Sequence, residues 1–157
     1  MKRLKILLLA LLALVSVGAS AQAMNNTAFR SGEILTYNLY FNWKFVWIKA
    51  GNATYSTVQT RFQGQNAYRS SLTATTNARA DKFFTIRDNL TAYCTTNMLP
   101  LYYTKSTHEG DRRNLDEVRY SFSGGRCNMR LRRRKSDGSN HYRNISLNNS
   151  FDMINAF

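Results

Sequence analysis

Leu35, Tyr37, Leu39 and Phe41 alternate with Thr36, Asn38 and Tyr40, a period of two that predicts a strand with one face turned to a core. Trp43, Phe45 and Trp47 continue the odd-numbered row, and Gly51 offers a bulge or a point of reversal. Ala53 to Thr60 and Ala67 to Thr76 read as a β-hairpin joined by the turn-rich stretch from Arg61 to Asn66. Asn77 to Lys82 has no useful period and reads as a helical turn, after which Phe83 to Thr96 returns to strand composition. Further strands are predicted at Leu101 to Ser106, after Pro100, and at Glu117 to Phe122, Cys127 to Lys135 and Tyr142 to Leu147. His108 to Arg113 reads as a charged connection; Gly124-Gly125 and Ser136 to Ser139 read as turns. The fold class that follows is mainly β: one domain of curved antiparallel sheet, an open sheet or half-barrel, with little helix.

The two ends break this pattern. Lys2, Arg3 and Lys5 precede an apolar run from Ile6 to Val17, and the overlapping A-x-A sites Ala19 to Ala21 and Ala21 to Ala23 follow. That order is a secretory signal peptide over residues 1–23, with an apolar run too short to span a bilayer comfortably. No lipobox-like cysteine follows it, and no second long apolar segment predicts a transmembrane span in the mature chain. The domain therefore occupies residues 24–157, and the export signal directs it to the periplasm or envelope. Ser150 can cap a helix opening with Phe151, Asp152, Met153 and Ile154. The chain stops at Phe157 barely two turns later, as expected of a C-terminally truncated product.

Charge narrows the list of partners. The leader holds three of the 22 basic residues and no acid, so 19 remain against nine acids, a net charge of +10. Such a surface attracts polyanions. For an exported chain these are anionic lipid, acidic glycan or an acidic face of an envelope protein, rather than nucleic acid. Arg130, Arg132 and Arg134 point to one strand face, opposite Cys127, Met129 and Leu131. They form a candidate stripe for phosphate or carboxylate groups, which arginine grips bidentately. Trp43, Phe45 and Trp47 are the candidate lining for an acyl chain or sugar ring.

Catalytic chemistry has little support. His108-Glu109 lacks a second histidine four residues on, His141 stands alone, and no G-x-S-x-G elbow or phosphate-binding glycine loop occurs. No metal-ligand spacing is present, and no cofactor is expected. Asp88 with Glu109 or Asp111 is the one acid pair worth testing for hydrolysis. Cys94 and Cys127 sit in alternating apolar rows, compatible with a disulfide or with two buried thiols.

Phe29-x-x-Gly32-Glu33-x-Leu35-x-Tyr37, followed by Trp43 and Gly51, resembles the opening of domain-of-unknown-function family 3108. Gly64, Tyr68, Arg87-Asp88, Pro100, Glu109-Gly110 and the segment Phe151 to Ile154 follow in the family's order. Lys44 departs from the pattern, standing where a glycine often follows the tryptophan. The resemblance implies a β-rich exported protein of Gram-negative bacteria and assigns no catalytic residue. The expected function is non-enzymatic: a curved sheet with an apolar concavity and a basic rim that holds an amphipathic anionic ligand, such as lipid or lipid-linked glycan. The alternative is a structural or partner-binding module of the envelope. Oligomeric state is left open.

Overall fold

A computed structural model describes residues 26–148, apart from the side chain of Trp43. The predicted leader and the predicted helix after Ser150 lie outside the described residues. Eight strands follow one another: β1 (Glu33–Trp43), β2 (Val46–Phe62), β3 (Gln65–Thr76), β4 (Arg87–Thr95), β5 (Pro100–Glu109), β6 (Arg112–Ser123), β7 (Arg126–Arg134) and β8 (Asn140–Leu147). They form one open antiparallel sheet in chain order, each strand beside its sequence neighbour. The only helical element among the described residues is a 3-10 turn at Ala80–Lys82. None of their helices is long and apolar enough to cross a membrane. The expected mainly-β architecture with little helix is therefore the one observed.

The register sorts side chains onto two faces. Leu72, Leu90, Tyr55 and Leu35 lie across from one another on β3, β4, β2 and β1. Ala92, Tyr103, Val118, Leu131 and Arg143 continue the same face through β8. On this inner face Leu90, Ala92 and Tyr103 are buried, with Tyr55, Leu72, Val118 and Tyr120 packed around them. Among the described residues no second layer covers this face, so burial there requires the sheet to curl around its own side chains. Thr57 and Ser70 are also buried there and satisfy each other, Oγ1 to Oγ at 3.3 Å, while the Tyr55 hydroxyl donates to Ser70 Oγ at 3.2 Å. Phe29 closes one end, edge-on to Tyr68 with ring centroids 5.1 Å apart.

Several boundaries depart from the sequence pattern. The first reversal falls at Lys44-Phe45, with Lys44 at φ 55°, and not at Gly51. Gly51 lies inside β2 beside a bulge, where the partner of Leu39 is Gly51 and the partner of Tyr40 is Lys49. A Cβ at Gly51 would stand 2.1 Å from the Thr75 carbonyl oxygen, so close strand approach demands glycine there. The turn-rich stretch from Arg61 to Asn66 contracts to a two-residue turn, Gln63-Gly64. Likewise the charged segment from His108 to Arg113 is mostly strand, with only Gly110-Asp111 in the turn. Gly124 and Gly125, at φ 57° and 71°, make the left-handed two-residue turn that matches strand twist.

Cys94 and Cys127 are both buried and are not bridged. They sit on β4 and β7 with two strands between them. At about 4.8 Å per strand that is roughly 14 Å along the sheet, twice the reach of a disulfide. The reading as two small buried hydrophobes is the one the fold accommodates.

Candidate functional site

The sheet has one long internal connection, residues 77–86 between β3 and β4, and this segment builds a cavity. Asn77 starts it: its side-chain Nδ2 donates to the Lys49 carbonyl at 2.8 Å, and its backbone N–H donates to the Ala50 carbonyl at 2.8 Å. Both acceptors belong to the bulged stretch of β2, which twists its carbonyls toward the crossover. Asn77 Oδ1 accepts from the backbone N–H groups of Arg79 at 3.1 Å and Ala80 at 2.9 Å. This local bond is why a residue of low helix propensity can open the 3-10 turn.

The segment is then clipped at its far end. Thr76 Oγ1 donates to Asp81, and Arg87 reaches the same carboxylate through Nη1 to Oδ1 at 3.1 Å and Nη2 to Oδ2 at 2.5 Å. The hydrogen bond from Arg87, and next that from Thr76, hold the Asp81 carboxyl below the ordinary carboxylate range. Ile86 N–H donates to Thr76 Oγ1 at 2.9 Å, and Gly110 N–H to the Thr85 carbonyl at 2.8 Å.

Between the crossover and the sheet lies a cavity of about 690 Å³. Phe41 and Ile48 line its sheet side, and Ala80, Phe83, Phe84 and Ile86 line its crossover side. Arg79 also lines it and contributes to the groove beside it, which Lys49, Asn77 and Trp47 share. On the other side of Phe83 and Phe84 the surface is mixed, with Glu109 and Asp111 beside Arg112 and with Asp81, which Arg87 pairs. The cavity thus has apolar walls, a cationic flank and, beyond Phe83 and Phe84, a flank of mixed charge. A hydrocarbon segment gains by burial inside it, and an anionic group attached to that segment is favoured toward Arg79 and Lys49.

The sequence-derived candidates distribute unevenly around this site. Phe45 occupies the turn and is 97% exposed. Trp47 is paired with Asn42, on the face opposite Phe41 and Ile48, and is 69% exposed. The row Trp43, Phe45, Trp47 is therefore not one surface, because the turn at Lys44-Phe45 breaks its period. Trp47 reaches only the cationic groove, and the side chain of Trp43 lies outside the described residues. Arg130, Arg132 and Arg134 share the outer face of β7, as their alternation requires, five strands away from β2. The basic flank of the cavity comes from Arg79 and Lys49 instead.

Phe83, Phe84 and Arg79 were missed by reasoning from period. Residues 83–86 are not strand, and β4 begins only at Arg87. The available signal was an adjacent Phe-Phe pair after an aperiodic, helix-like stretch.

Asp88 and Glu109 do meet. Asp88 Oδ1 accepts from the His108 backbone N–H at 3.2 Å, and the Glu109 carboxylate is near enough to act on it. Burial, with a smaller contribution from the Glu109 charge, pushes the Asp88 carboxyl above its ordinary value. Asp111 stands apart in the following turn. No group of three or more His, Cys, Asp or Glu among the described residues is placed to hold a metal ion.

Of the residues that carried the family resemblance, Gly51, Arg87, Asp88, Glu109 and Gly110 lie at this end of the sheet, while Phe29, Gly64, Tyr68 and Pro100 lie toward the other. Gly51 permits the close approach of β2 to β3, Arg87 clips the crossover, Asp88 meets Glu109, and Gly110 tethers Thr85. No curated protein and no solved structure matches the chain. A family model does match, over residues 36–157, and the chain accordingly belongs to the family described as Protein of unknown function (DUF3108).

Proposed function

We propose that this is an exported, non-enzymatic envelope protein that holds an amphipathic anionic ligand, with an acyl chain in the crossover cavity and the charged group against Arg79 and Lys49. The carrying observation is the cavity itself: about 690 Å³ of apolar space with a cationic flank on one side only. Its size falls within the range of small-molecule sites, and each methylene buried there contributes about 0.8 kcal/mol. The basic leader with its A-x-A exit and the net charge of +10 support export and a negatively charged ligand.

Lipid extraction followed by mass spectrometry of the purified protein tests this reading. A bound lipid or lipid-linked glycan should be recovered from the native chain and lost from Phe84→Asp, which places a charge on the cavity wall. Empty spectra from well-folded native protein would refute it. A fluorescent fatty acid supplies the second measurement: Arg79→Glu should weaken its binding while leaving an uncharged long-chain alcohol unaffected.

A further inference from the structure

We propose that the outer face of β6 and β7 docks against an anionic lipid bilayer. Alternation puts Arg113 and Arg119 of β6, and Arg126, Arg130, Arg132 and Arg134 of β7, on that one face. Glu117 is the only acid of the described strands that shares it. Glu33, Asp88, Glu109 and Asp116 all belong to inner-face rows.

The arrangement is costly to the protein alone. Arg119 stands directly opposite Arg130, and like charges in that position destabilise a sheet. Arg119 lies over the Tyr102 ring, its guanidinium carbon 5.7 Å from the centroid. Tyr102 donates to Glu117 Oε1 at 2.7 Å, and Arg132 Nε lies 3.1 Å from Glu117 Oε2. That Nε is buried and unaligned for a hydrogen bond, so the pair with Glu117 is electrostatic only and fixes the Arg132 side chain on this face. Arg130 and Arg134 flank Arg132 diagonally across from Glu117 but form no ion pair; the ion pairs among the described residues use Arg87, Arg132 and Arg133.

Geometry selects a surface over a single phosphate. The row from Arg126 to Arg134 runs along the whole of β7, about 27 Å at roughly 3.4 Å per residue. Tyr142 of β8, opposite Arg132 and 73% exposed, adds an amphipathic ring of the kind that settles at headgroup level. Charge complementarity is thus spread along two strands, with an aromatic anchor beside it. This inference does not depend on what the crossover cavity holds.

Vesicle flotation tests it. At about 0.1 M salt, where charges beyond roughly 10 Å are screened, the purified protein should float with phosphatidylcholine vesicles containing phosphatidylglycerol and not with phosphatidylcholine alone. The triple variant Arg119→Ala, Arg130→Ala, Arg134→Ala should bind about a hundredfold more weakly, roughly fivefold for each arginine. The same three positions changed to Lys should float like the native chain, because a lipid surface reads charge and not the guanidinium fork. A charge-matched triple elsewhere, Arg30→Ala, Arg61→Ala, Arg143→Ala, should lose little. Four results would each overturn the proposal: native protein that fails to float, equal loss in the two alanine triples, failure of the lysine triple, or tighter binding to a soluble acidic polysaccharide than to vesicles.

Discussion

Single side chains set limits that the sheet as a whole cannot relax. Gly51 is the clearest, because the space for a Cβ is already filled by the Thr75 carbonyl. Gly51→Ala should cost about 1–3 kcal/mol through forced backbone movement, read as a lower urea midpoint with an unchanged slope. Cys94 and Cys127 make a second case. Both are fully buried, and burial pushes the Cys127 thiol up, away from the reactive thiolate. Neither should react with an alkylating reagent until the protein unfolds, and non-reducing electrophoresis should show no intramolecular bridge. Asp88 gives a pH prediction with a definite sign. Its carboxyl is raised in the folded state, so its contribution to stability is complete below the ordinary aspartate pKa of about 4 and is lost as pH rises through the raised native value. Asp88→Asn should remove that loss, flattening the stability profile on the near-neutral side of pH 4.

At the scale of elements, the β3–β4 crossover is the part on which the proposed ligand depends. Its anchors are few: Asn77 on β2, the Asp81 clip with Thr76 and Arg87, and the Thr85–Gly110 bond. Asp81 is shifted downward, the opposite of Asp88, so its contribution is present above the ordinary aspartate value and disappears as pH falls through the lower native one. Acidification and Asp81→Asn should act alike. Both should speed amide hydrogen exchange in residues 77–86 while exchange in β3 and β4 stays slow. Phe83, 88% exposed at the edge of the cavity, is the side chain this loosening would release first. A variant in which exchange quickened equally across the whole sheet would show the clip to be a global stabiliser and not a local fastening.

For the whole molecule, the strands were legible and the site was not, for a common reason. Strand signals come from a period of two, and Leu90 to Cys94 and Cys127 to Leu131 kept it because one face is covered by the curl of the sheet. Leu35, Tyr37 and Phe41 keep the period too, but they are 40%, 50% and 59% exposed, so the expected core-facing row of β1 is open among the described residues. The crossover has no period, since side-chain bonds from Asn77 and Asp81 fold it, and such bonds leave no repeating mark in a sequence. The aromatic hairpin misled for a related reason. Two turn residues at Lys44-Phe45 reset the alternation, so Trp47 emerged on the wrong face for the expected row. The arginine stripe was read correctly as one face of β7. Yet its neighbour Arg119, and the exclusion of acids other than Glu117, needed the β6–β7 register.

The neighbour-to-neighbour order of the eight strands carries a consequence for how the chain is made. Every ladder joins segments that are consecutive in sequence, so each new strand needs only the one synthesised before it as a template. Loop-closure entropy stays small at every step, which favours rapid assembly. A polypeptide threaded end-first, from a ribosome or through a pore, can therefore lay down its hydrogen-bond ladders in order of emergence, without waiting for a distant partner to arrive.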